Sequence, residues 1–324
     1  MKLLKRAGID AYMLILLATV LVGVVLPASG SAARILGHVT YWAVFLLFFL
    51  YGAKLDPAAI RAGFLNLRLQ GLVLTATFVL FPVLGLILSA GLRPVLGPEM
   101  AMGLIFLAVL PSTVQSSIAF TSIAGGNVAA AICAASLSNI LGVVLTPLLV
   151  ARLIHLDGGG VSLAAIEKIG LQILLPFLLG QMLRRWIGPF VNRQKRVTTI
   201  VDRGAILLIV YAAFSAGTMS GLWSQIPTAS LLLALAAVAL FLALAVLSMI
   251  AISRLVRLPP ADHPVLLFCG ATKSLASGLP IAMALFPAAT VSATILPLMI
   301  YHMTQLLLSS FLAQRLARSA PVAA

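Results

Sequence analysis

The chain has 324 residues, of which 62% are hydrophobic and only 9% charged, and its mean hydropathy is +1.17. A soluble domain carries about 25% charged residues, so most of this surface cannot face water and lipid must be its solvent. The net charge of +14 would bring a soluble protein to nucleic acid, but the placement of the cations gives it another use and no nucleic-acid partner is expected.

Backbone in hydrocarbon must satisfy its own hydrogen bonds, which leaves helices or closed barrels. Long runs rich in Leu, Ala and Val without period-two alternation select helices. Ten spans are predicted, near Ala11–Ser29, Leu36–Leu55, Leu69–Ala90, Met100–Ile123, Asn127–Ile154, Leu163–Arg184, Ile200–Trp223, Pro227–Leu255, Pro264–Phe286 and Ala289–Leu312. The basic start Met1–Arg6 followed by Ala11–Leu26 resembles a signal peptide, but the apolar run is long and reads as a retained first helix. Trp42, Trp186 and Trp223 are expected near span ends, in an interfacial belt. Cys133 and Cys269 fall in apolar segments and read as small hydrophobes.

Ten spans place both termini on one face. That face collects sixteen of the 21 cations, among them Lys2, Lys5, Arg6, Arg61 and the basic stretch from Arg184 to Arg203. The other holds Arg34, Arg93, Arg152 and Lys168, and Lys273 lies inside a span. Such a bias orients both termini toward the cytoplasm, in an inner or plasma membrane, and the basic stretch is also suited to anionic lipid.

The two halves share a pattern. A long apolar span precedes an interrupted one, broken at Pro111–Ser117 in the first half and across Gly270–Gly278 in the second. A very short link, Gly125–Gly126 or Pro287–Ala288, then leads to the last span. With five spans per half, the second half enters the membrane inverted. The fold class is therefore an all-α membrane protein of ten helices in two inverted five-helix repeats, with broken crossing helices in spans four and nine. Paired interruptions of this kind mark a transporter's binding site, because unwound peptide groups are tolerated only where they line a polar cavity.

Lys273 sits at mid-depth with none of the seven carboxylates mid-span to pair with it. It can bind an anionic solute, replace a bound cation, gain and lose a proton, or be a structural lysine bonded to carbonyls at the break. Ser112, Thr113, Gln115, Ser116 and Ser117 offer oxygen to a hard cation or hydrogen bonds to a solute. Ser136, Ser138 and Asn139 follow on the next span, Thr272, Ser274 and Ser277 flank Lys273, and His302 and Gln305 lie on the last span. His302 reads as a packed, hydrogen-bonded histidine ahead of a proton relay. No catalytic residue and no organic cofactor are expected, since no metal motif or diagnostic nucleophile–base spacing occurs. The partners are a small solute and membrane lipid, and the oligomeric state is open. Two other classes stay open: an intramembrane hydrolase in which Lys273 activates a serine, and a regulator that keeps a carrier fold.

The runs Pro111–Ser117, Gly126–Val128, Leu145–Pro147 and Gly270–Gly278 resemble those of the bile acid:sodium symporter superfamily, most closely a divergent branch of it. The resemblance covers essentially the whole chain. It implies a panel domain (1–67 and 155–224) and a core domain (68–154 and 225–324), with a solute cavity between them and alternating access. Ser116 and Ser117 match the polar pair where the family binds sodium, with one extra residue between Pro111 and Gly126. The hydroxyls expected on span five fall at Ala131 and Ala135, and Lys273 stands where a carboxylate is expected. Both departures work against a sodium ion and leave proton-coupled or uncoupled transport as alternatives.

Overall fold

The computed structural model describes residues 11–54, 66–154, 170–225, 228–288 and 290–319, and among these every regular element is a helix. In chain order they are α1 (Ala11–Val25), α2 (Gly30–Lys54), α3 (Leu67–Leu96), α4 (Pro98–Ala108), α5 (Gln115–Ile123), α6 (Val128–Leu153) and α7 (Leu175–Arg193), the last led in by a π-helical turn at Gly170–Leu174. There follow α8 (Lys195–Met219), the single turn α9 (Leu222–Gln225), α10 (Thr228–Leu255), α11 (His263–Ala271), α12 (Leu275–Leu285) and α13 (Val291–Ser319).

Among the described residues, seven stretches are long and apolar enough to cross a membrane: α2, α3, α6, α8, α10, the α11–α12 pair and α13. Of the other predicted spans, the described part of the first is the 15 residues of α1, α4 has 11 residues, and α7 carries Arg184, Arg185 and Arg193, while residues 163–169 of the sixth lie outside the described residues. Helix α2 begins at Gly30, not near Leu36, which places Trp42 in its middle instead of at an end. Lys2, Lys5, Arg6, Arg61 and Lys168, which enter the charge bias, lie outside the described residues.

The helices pack in two sets. Helix α2 runs against α7, and α8 against α1 and α2. Helices α3 to α6 pack with α10 to α13, and α8 meets this second set at α12 and α13. Close approach in the first set depends on two glycines. A Cβ on Gly52 would lie 2.0 Å from the Phe177 carbonyl oxygen, and one on Gly180 would lie 2.0 Å from that of Phe49. Small residues at such a crossing let backbones touch, which is how helices associate where lipid removes the hydrophobic drive.

In the second set the end of α11 is tied to its neighbours by a carboxylate. Asp262 accepts from the side-chain amides of Asn66 and Asn127, at 3.1 Å each. Those two asparagines cap the N-termini of α3 and α6 through their own carbonyl oxygens, so one acidic group sits where three helices begin and their dipoles favour negative charge. In the apolar α11–α12 stretch 94% of the residues are buried within the protein, against 33–39% in the other six. A helix surrounded by protein can be broken, because side chains replace its lost backbone partners.

Candidate functional site

Both breaks are shorter than the sequence implies. The first covers residues 109–114, and Gln115, Ser116 and Ser117 already belong to the opening turn of α5. The second is confined to Thr272, Lys273 and Ser274, with α11 continuing through Ala271 and α12 starting at Leu275. The segments touch directly: the Ser274 amide donates to the Pro111 carbonyl at 2.9 Å. Gly142 and Gly278 give the first break its seat, since a Cβ there would press on the Pro111 ring (2.7 Å) and on Leu110 (2.6 Å) respectively.

Unwinding strips peptide groups of their helical partners, and buried ones must find others. The Ser112 amide donates to Ser138 Oγ (3.0 Å), and the Ser112 carbonyl accepts from Asn139 Nδ2 (2.8 Å). The Val109 carbonyl accepts from Thr146 Oγ1 (2.7 Å) and the Ala271 carbonyl from the Tyr301 hydroxyl (2.7 Å). Gln305 serves Lys273 twice, accepting from its amide at 2.8 Å and donating to its carbonyl at 2.9 Å. His302 Nδ1 lies 3.1 Å from Gln305 Nε2 and so belongs to this packed network.

A hydroxyl cluster fills the junction. Thr272 Oγ1 lies 2.8 Å from Ser117, 3.0 Å from Thr113 and 3.2 Å from Ser112. Thr113 Oγ1 is also 2.6 Å from Ser117 Oγ, and Ser116 donates to it at 2.7 Å. Ser117 and Thr272 both donate to the Phe268 carbonyl. Each hydroxyl has one proton to distribute among these partners, and across the short Ser117–Thr272 approach either oxygen can be the donor. A second chain runs from Ser274 to Ser277 (3.1 Å) and on to Asn139 Oδ1 (3.0 Å). Of the residues singled out from sequence, Gln115 is exposed and Ser136 half-buried, and neither joins these bonds.

Lys273 is fully buried. Its ammonium donates to the carbonyls of Leu110 (2.7 Å), Ala108 (2.8 Å) and Thr77 (3.0 Å), and lies 4.1 Å from the centre of the Phe81 ring. All three N–H groups are thereby used, and direct contact with a solute gives way to the structural alternative. Each acceptor is free for a definable reason. Helix α3 makes one π-helical turn at Ala76–Leu80, where the Phe81 amide bonds to Ala76 and leaves the Thr77 carbonyl over. Ala108 closes α4, and the amide four residues on has gone to Ser138. Leu110 lies inside the break. Sequence reasoning missed Tyr301, Thr146, Phe81 and all three carbonyl acceptors. Thr146 stood in a noted motif, whereas a carbonyl belongs to every residue and gives no signal.

A family model for SBF-like CPA transporters matches residues 10–318. The chain belongs to the SBF-like CPA transporter family. Its relatives include the Pseudomonas aeruginosa protein PA2026, 50% identical over 310 residues that cover 95% of this chain and 93% of the relative. The Escherichia coli protein named "Putative symporter YfeH" is 43% identical, over 96% of this chain and 93% of its own. The mouse sodium/bile acid cotransporter 7 is 28% identical over 96% and 94%. A member of this family is a transporter and an integral membrane protein and not an enzyme, and two of these relatives are named as a putative symporter and a sodium/bile acid cotransporter.

Proposed function

We propose that this family member is a secondary carrier that moves a small organic anion by alternating access, with its site at the junction of the two helix breaks. The reading rests on the Ser274–Pro111 backbone bond and the hydroxyls gathered beside it, which bring two unwound segments from opposite halves of the chain together. In this reading ten helices form two inverted repeats, both termini are cytoplasmic, and the α1, α2, α7 and α8 set is a panel against which the other set rocks. Ser112, Thr113, Ser116, Ser117 and Thr272 present hydroxyls to the solute, with Ser138, Asn139, Ser274 and Ser277 holding the two breaks in place. Lys273 contributes a fixed positive charge through space: among the described residues no carboxylate bonds to it, and in a low-dielectric interior its field favours an anion.

A sodium ion on Ser116 and Ser117 is the second reading. It is favoured by the Ser117 and Thr272 oxygens, which lie 2.8 Å apart beside the Phe268 carbonyl, a group of oxygens suited to a hard cation. Against it stand Ala131 and Ala135, which carry no oxygen in their side chains, and the ammonium at the second break.

The test is a screen of small organic anions for thermal stabilisation of the purified protein, followed by uptake of the best ligand into proteoliposomes. Uptake that persists when sodium is replaced by potassium is expected. Uptake that needs a sodium gradient moves the assignment to the second reading, and saturable binding without any movement of ligand removes the carrier reading in favour of a membrane regulator.

A further inference from the structure

The Asp262 carboxylate serves as a helix cap, and the Lys54–Asp202 pair at 2.6 Å joins α2 to α8. We propose that Lys273 is a tethered cation occupying a site for a small monovalent cation, with walls formed by the carbonyls of Thr77, Ala108 and Leu110 and the face of Phe81. The site belongs to the backbone, and shortening Lys273 opens it to a cation from solution.

All three hydrogen-bond partners are pure acceptors at 2.7–3.0 Å. A neutral amine has two N–H groups and would aim its lone pair at the third oxygen, so the geometry fits the ammonium. Two of the acceptors come from the C-terminal end of α4 and the stretch just beyond it, where the helix dipole adds partial negative charge. The ring face closes a fourth side with its negative quadrupole. Three elements, α3, α4 and the first break, thus each direct negative potential at one point, which is how a filter or ion site is built from peptide groups. Lys273 supplies the ion on a four-carbon stem, so the ion is always present and cannot move with the solute. The consequence for coupling rests on the carrier reading. The occupancy of the site does not.

The experiment follows the melting temperature of the purified full-length protein in sodium, potassium, ammonium and choline chlorides at one ionic strength. Wild type is expected to melt at the same temperature in all four. Lys273→Ala is expected to melt lower in choline and to recover by roughly 3–5 °C, saturably, in at least one of the three small cations, as one occupied site requires. Lys273→Met, whose chain fills the same space without charge, is expected to melt low and gain nothing. Identical melting of Lys273→Ala in choline and in every small cation overturns the proposal, as does a recovery by Lys273→Met equal to that of Lys273→Ala. Should Lys273→Ala be unrecoverable in choline, the yield of monodisperse protein extracted in the small-cation salts is read instead; recovery in one of them supports the site, and equal loss in all refutes it. Because melting needs no solute, recovery without any detectable uptake keeps the cation site and removes only the carrier reading.

Discussion

Gln305 grips the peptide of Lys273 from both sides, taking its N–H at 2.8 Å and giving a proton to its C=O at 2.9 Å. One side-chain amide on α13 therefore replaces the two backbone bonds that unwinding removed from α11.

Gln305→Leu leaves that donor and that acceptor buried and unpaired. A loss of at least about 2 kcal/mol is expected, since each orphaned group costs roughly 1–3 kcal/mol. Gln305→Glu keeps the acceptor and should lose about half as much. Melting curves in one detergent compare the two, and a Gln305→Leu protein as stable as wild type would show that the break is held from elsewhere.

Thr272→Val keeps the shape of the side chain but removes the oxygen that approaches Ser112, Thr113, Ser117 and Phe268. If the cluster handles solute, uptake should fall by roughly tenfold or more, the worth of about 1.4 kcal/mol in binding, with a smaller effect on melting. Initial rates in proteoliposomes, set beside the melting temperature of the same preparation, decide between a transport role and a packing role.

Gly180→Ala puts a methyl group on the Phe49 carbonyl, and Gly52→Ala does the same at Phe177. Overpacking of this kind costs typically about 1–3 kcal/mol, and here the obstacle is backbone, which cannot rotate away. Each variant should melt lower than wild type. The double variant should lose less than the sum of the two, because the first substitution already separates α2 from α7.

Asp262→Asn exchanges a double acceptor for a group with one carbonyl oxygen, which can serve Asn66 or Asn127 but not both. About 1 kcal/mol of capping energy is at stake. Hydrogen exchange at the first-turn amides of α3 and α6 should speed up in the variant while the middle of α6 stays protected. Unchanged exchange at both helix starts would show that the asparagines cap without help from Asp262.

How far the site was legible varies by residue. Polar side chains in an apolar span announce themselves, because burying one unpaired is costly, and Ser112, Thr113, Ser116, Ser117, Thr272 and Asn139 could be singled out for that reason. That Gln115 is exposed while Ser117 is buried could not be read, because it depends on where α5 begins. Pro111 suggests a break running forward from itself, whereas the helix ends before it, at Ala108, and resumes at Gln115. Proline obstructs the turn that precedes it, and the first residues after a break can cap a new helix.

Taken alone, the sequence determined the solvent and hence the secondary structure: with so few charges the chain must lie in lipid, and lipid demands helices. It also located both interruptions to within a few residues, since hydroxyls, proline and a lysine there conflict with a continuous apolar helix. Tertiary structure alone decided what the interruptions are joined to. The partners of Lys273 are carbonyls of Thr77, Ala108 and Leu110, identical in chemistry to those of every other residue. Which carbonyls are left without an amide depends on a π-turn in α3 and on Ser138 reaching the Ser112 amide, and both arise only when the helices pack.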